Sequence, residues 1–66
     1  MKVTASNGTR QTEIEAKSCY TENGLIVVHT KTGDARIEGE LSIASDGVRV
    51  LVRRVAVDWG TGLHNL

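Results

Sequence analysis

A chain of 66 residues with a formal charge of zero, eight Lys and Arg against eight Asp and Glu, makes one domain at most and carries no global field that would draw it to nucleic acid or anionic lipid. Its one Cys excludes an internal disulfide framework and any multi-cysteine zinc site, and no apolar run approaches the roughly 20 residues of a membrane span. Phe is absent, and Trp59 and Tyr20 are the only large aromatics, so burial has to come from Val, Ile and Leu.

Met1-Lys2-Val3 leads into polar residues rather than the apolar core of a signal peptide, which predicts a soluble, cytoplasmic protein with no membrane partner. The alternation of residues 1–5 stops at Ser6-Asn7-Gly8-Thr9, and Asn-Gly is a strong hairpin signal because both residues tolerate positive φ. A two-residue turn there sets Val3 opposite Thr12 and Met1 opposite Ile14. Glu, Ala and Lys are helix formers, but the alternation of Ile14, Ala16, Ser18 and Tyr20 between two turn signals predicts a single strand over residues 11–20.

The next break is Thr21-Glu22-Asn23-Gly24. A two-residue Asn23-Gly24 turn would send Tyr20 to the side of Val27, whereas a three-residue turn with Gly24 left-handed keeps Tyr20 with Ile26 and Val28. The second keeps one core face continuous and is the expected one. Leu25, Ile26, Val27 and Val28 are apolar on both sides, the mark of a central strand. Thr32-Gly33-Asp34-Ala35 reads as a tight turn, after which residues 36–45 alternate, Ile37, Gly39, Leu41 and Ile43 facing in and Arg36, Glu38, Glu40 and Ser42 facing out. A two-residue Asp46-Gly47 loop opposes Ile43 to Val50, Leu41 to Val52 and Gly39 to Arg54, and puts Glu40 across from Arg53.

Residues 48–59 form an uninterrupted run without Gly and are rich in β-branched side chains, so they are read as the principal strand. Val48, Val50 and Val52 share one face; beyond Arg54 the apolar set becomes Val55, Val57 and Trp59. A strand has a side-chain period of two, so this phase slip at Arg53-Arg54 predicts a bulge or a sharp coil, with Gly39 on the neighbouring strand marking the bend. Gly60 and Gly62 end the strand, and residues 60–66 are read as a C-terminal tail to a domain of residues 1–59, with Leu63 and Leu66 either docked or frayed.

The whole pattern is all-β: a five-stranded antiparallel meander curled into a small barrel or strongly bent sheet. It carries apolar residues on both sides, more than one short sheet can cover, so homo-oligomerisation is expected to complete it.

Catalytic and metal-ligand patterns are missing from the sequence. His29 and His64 stand in no metal-ligand spacing with Cys19, Asp or Glu. The expected register puts His29 beside Glu38 as an ordinary surface pair. Cys19 has no neighbouring His to activate it and reads as a structural thiol. Glu13, Glu15, Glu38 and Glu40 are outward faces beside basic residues, and every Gly is used by a turn, a bend or the tail rather than a phosphate loop. No catalytic residue, metal or cofactor is expected.

Two binding classes remain. One is a non-enzymatic protein-interaction module whose apolar strand surface, Leu51, Val55, Val57 and Trp59, meets a second copy or another protein, as suits an accessory or inhibitor protein; Trp is enriched at such contacts. The other is a small nucleic-acid-binding barrel using Lys31, Arg36, Arg49, Arg53 and Arg54 on neighbouring strands, with Trp59 or Tyr20 stacking a base.

Overall fold

The computed structural model describes residues 1–66 and is all-β apart from one short turn of 3₁₀ helix. Six strands, β1 (Lys2–Ser6), β2 (Gln11–Glu15), β3 (Ser18–Glu22), β4 (Leu25–Thr30), β5 (Gly33–Ala44) and β6 (Gly47–Trp59), are followed by η1 (Leu63–Asn65). They form one sheet in the order β2-β1-β6-β5-β4-β3. The sheet is not closed into a barrel, since β2 and β3 are its edges. It is strongly coiled around a small core, and the molecule spans 27 × 24 × 22 Å.

The expected meander holds from β3 to β6, where each strand pairs antiparallel with the next. Its beginning differs. The expected strand over residues 11–20 is two strands, broken at Ala16-Lys17, and they lie at opposite ends of the sheet. The Ala16 N–H bonds the Met1 carbonyl and the next N–H, of Lys17, bonds the His29 carbonyl, so this dipeptide carries the chain from one edge to the other. β1 lies parallel to β6, with Val3 beside Val48 and Ala5 beside Val50, which makes the sheet mixed rather than wholly antiparallel.

The principal strand is β6, and its phase slip is a bulge. Gly39 pairs with Val52 and Glu38 with Arg54, leaving Arg53 as the extra residue. A second extra residue, Ala56, follows, because Ile37 pairs with Val55 but Arg36 with Val57. The first bulge keeps Val52 and Val55 on the same face; the second sends Val57 and Trp59 to the other. Gly39 sits at the bend because a Cβ there would lie 1.9 Å from the Leu51 carbonyl oxygen, so only Gly allows the two strands to close up.

The core is Val3, Ala5, Ala16, Ile26, Val28, Ala35, Ile37, Val50, Val52 and Leu63, with Ile14, Cys19, Leu41, Val48, Val55 and Leu66 packed around it. Leu63 is fully buried, so residues 60–66 fold back to close one end of the coiled sheet. Val27 is also fully buried but on the outer side, flanked in register by Tyr20 and Arg36. This is the doubly covered strand that the run of residues 25–28 implied.

Four turn assignments shift. The Asn7-Gly8 loop is wider than two residues, Ser6 pairing with Gln11 and Val3 with Ile14, because the Asn7 side-chain oxygen accepts from the Thr9 N–H, the Thr9 hydroxyl and the Arg10 N–H and builds its own turn. Asn23-Gly24 is the two-residue turn after all, with positive φ at both residues (52° and 79°). Cys19 therefore faces the core in place of Tyr20, which is exposed. β5 starts at Gly33, not Arg36: the preceding turn is Lys31-Thr32, held by the Thr30 hydroxyl, which accepts from the Thr32 and Gly33 N–H groups. The last hairpin turns at Ser45-Asp46, pairing Ala44 with Gly47 and Ile43 with Val48, and its tip overshoots the core so that Ile43 is 90% exposed instead of inward.

Candidate functional site

The outer face of the sheet divides where β6 bulges. On one side of the bulge lie the outward residues of β2, β1 and the first half of β6 with the last half of β5; on the other lie those of β3, β4, the first half of β5 and the end of β6.

The second half holds the aromatic residues. Register places Tyr20, Val27, Arg36 and Val57 in one row across β3, β4, β5 and β6. A parallel row runs Ser18, His29, Asp34 and Trp59. The two are stitched together by side chains. His29 Nδ1 lies 2.8 Å from the Asp34 carboxylate, and His29 Nε2 lies 2.9 Å from the Tyr20 hydroxyl. A carboxylate only accepts, so Nδ1 carries the proton toward Asp34, and in the neutral ring Nε2 accepts from the Tyr20 O–H. The rings of Tyr20 and His29 are 5.5 Å apart and tilted. Arg36 places its guanidinium over the Trp59 ring, 5.8 Å from its centroid, a cation–π contact. Trp59 nevertheless stays 61% exposed.

This arrangement bears on each residue picked from the sequence. Val57 and Trp59 lie on this face, and Leu51 is 45% exposed on the outer face across the bulge, opposite Glu40. Val55 does not join them: opposed to Ile37, it packs on the core. Of the basic set, Arg36 is on the aromatic half and Lys31 in the adjoining turn. Arg49 is on the other half, between Thr4 and Ser42. Arg53 and Arg54 are engaged with acids. Arg54 Nε donates to Glu38 at 2.8 Å, a bond that holds the Glu38 carboxyl below its usual pKa, and Arg53 stands 4.0 Å from Glu40. The sequence reading found the Glu40–Arg53 pair but not the tighter Glu38–Arg54 one. His29 meets Asp34 rather than Glu38, because β5 begins earlier than expected.

Chemically, an Asp–His–Tyr chain can relay a proton and fix a phenol in place. It stands on open sheet: the two concave regions of the molecule are elsewhere, one of about 400 Å³ lined by Thr4, Ser6, Ser42, Arg49 and their neighbours, the other of about 420 Å³ between Arg10 and the C-terminal turn. Cys19 is half-buried against the core, and that burial pushes its thiol pKa up, away from the reactive thiolate. No group of three or more His, Cys, Asp or Glu side chains is placed to hold a metal ion, and no helix is long and apolar enough to cross a membrane.

The sequence reading missed the Tyr20–His29–Asp34 chain because two register choices were each displaced. The signal that would have found it was Asn23-Gly24 taken as a two-residue turn, which alone moves Tyr20 to the side of Val27 and within diagonal reach of His29. Compared with protein-family models, with curated proteins and with solved structures, the chain matches none.

Proposed function

We propose that this chain is a non-enzymatic protein-interaction module whose working surface is the aromatic half of the outer face, anchored on Trp59 at its β6 end, with Arg36 and Val57 next to it and Tyr20 on the same face at the β3 edge. The observation that carries this reading is the exposed indole, 61% accessible in a protein with no other Trp and no Phe. The Arg36 guanidinium packs over one side of the ring, and the rest of it is open to a partner. Trp, Tyr and Arg are the residues that dominate the energetics of protein contacts, and here they share one rigid sheet face. The partner is a second copy of the chain or another protein, and Leu51 extends the apolar surface only if the partner reaches across the bulge.

The test is binding to the protein captured from the source cells, repeated by calorimetry with purified components. Trp59→Ala should cost about 2 kcal/mol or more in affinity, as for a hot-spot residue. Leu41→Val, a core change of similar subtlety to fold stability, should leave affinity unchanged. Equal affinity of wild type and Trp59→Ala sinks the reading.

A second reading is supported by Arg36 against Trp59, with Lys31 in the adjoining turn and Tyr20 on the same half of the sheet: a single-stranded nucleic acid stacked on the aromatics with its phosphates on the cations. Titration with single- and double-stranded oligonucleotides at low salt separates the two, because the phosphate contribution is strongest there.

A further inference from the structure

The two edges of the open sheet are unequally protected. An edge strand presents unpaired N–H and C=O groups, and natural proteins blunt it with charge, Pro, a bulge or a covering segment. β2 has such protection. It carries Glu13 and Glu15, tied to Lys2 and to the N-terminal ammonium, and the C-terminal turn approaches its start, Arg10 of the preceding loop donating to the Asn65 carbonyl. β3, Ser-Cys-Tyr-Thr-Glu, has no Pro and one charge, Glu22, at its end. No strand pairs with its far side.

The geometry points to β3 as a self-pairing edge: we propose that it adds antiparallel to β3 of a second copy, with the twofold axis at Tyr20. The β3–β4 hairpin closes on the pair Glu22–Leu25 around a two-residue turn, and such a closing pair exchanges both of its hydrogen bonds. Bonding direction alternates along an antiparallel strand, so Tyr20 and Ser18 also spend their backbone groups on β4. Cys19 and Thr21 direct theirs outward.

Centring the pairing on Tyr20 sets Cys19 against the partner's Thr21, and Thr21 against the partner's Cys19. Every outward N–H and C=O of these residues then meets its complement. Tyr20 faces the partner's Tyr20 in a non-hydrogen-bonded pair, where side chains approach most closely. Glu22 falls opposite the partner's Ser18, so no like charges oppose each other. The outer faces of the two copies run on into one surface, each with its Tyr20–His29–Asp34 chain beside the axis. So short a strand pair buries less area than a stable dimer needs, and the association is concentration-dependent.

Single-thiol variants test this. On a Cys19→Ser background, Tyr20→Cys places the thiol at the twofold axis, and Thr12→Cys places it on β2 as the control edge. Under mild oxidation of concentrated protein, the position-20 thiol gives the covalent dimer and the position-12 thiol stays largely monomeric. Adding Thr21→Pro removes an N–H that points away from β4, which an edge strand tolerates, and abolishes the position-20 dimer. Thr21→Lys, a charge on the edge, does the same should the Pro variant not fold. Equal cross-linking at positions 12 and 20, or a position-20 dimer that persists in both Thr21 variants, overturns the proposal. Trp59→Ala leaves the β3 cross-link intact, so failure of the Trp59 reading and failure of this one are separately visible.

Discussion

At the scale of single residues the most constrained group is Asp58, which faces the inner side at the end of β6. Its side chain is 4% exposed. The carboxylate accepts from the Thr61 N–H and hydroxyl, from the His64 N–H at 2.7 Å and from His64 Nδ1 at 3.0 Å. Burial alone would raise its pKa; the hydrogen bonds from Thr61 and His64 more than offset that and bring it down to about 2. A carboxyl whose folded pKa lies below its unfolded one stabilises the fold fully above the ordinary Asp range near 4, and that contribution is lost as pH falls through about 2. Asp58→Ala should therefore lower stability at neutral pH by about 2 kcal/mol, from the loss of charge-assisted bonds. It should also flatten the decline between pH 4 and pH 2, read as urea midpoints across that range. The same clasp positions Leu63, whose side chain is fully buried. Leu63→Ala should cost about 3 kcal/mol by leaving a cavity, measured by thermal or urea unfolding. Asp58 does not stand out in the sequence, where it follows a valine strand; Leu63 does, as an apolar residue of the tail that could dock or fray, and the structure docks it in the core.

At the scale of elements, the strands were legible and their pairings were partly so. Alternation and turn residues locate β1, β4, β5 and β6, and the phase slip at Arg53-Arg54 marks a real bulge. What alternation cannot show is a second slip that restores a plausible apolar series. Val55, Val57 and Trp59 look like one face, and the extra residue Ala56 divides them between core and surface. Turn registers failed for a local reason, since Asn7 and Thr30 use their side chains to cap loops whose length the residue types alone do not fix. The bulge itself is testable through Gly39. An added methyl would meet the Leu51 carbonyl oxygen at 1.9 Å, backbone that cannot swing aside, so Gly39→Ala should destabilise by about 3 kcal/mol. At Gly8, where a Cβ meets nothing within 4 Å and only the positive φ of 94° resists, Gly→Ala should cost about 1 kcal/mol. Equal losses in denaturant titrations of the two variants would show that β5 and β6 are not pressed together at the bend.

At the scale of the whole molecule, the parallel contact of β1 with β6 is the feature that no local pattern announces. Two strands more than 40 residues apart in sequence meet because β6 is long enough to serve β1 with its first half and β4's partner, β5, along its whole length. The chain then crosses from one edge of the sheet to the other at Ala16-Lys17, and the end of the coiled sheet is stopped by the C-terminal turn. In that arrangement the inner side is sealed by residues from both ends of the sequence, while the outer side is left with an aromatic half that side-chain contacts only partly cover. The arrangement also fixes what removing the C-terminal turn does. A chain ending at Trp59 loses Leu63, Leu66 and the partners of the Asp58 carboxylate together, which uncovers the inner side and leaves a buried charge without its donors. Such a chain should bind a hydrophobic dye, lose dispersion in its amide NMR spectrum at neutral pH and unfold well below the 66-residue chain. If it instead keeps a native-like spectrum, the inner side is closed by the strands alone and residues 60–66 are an appendage to a complete sheet.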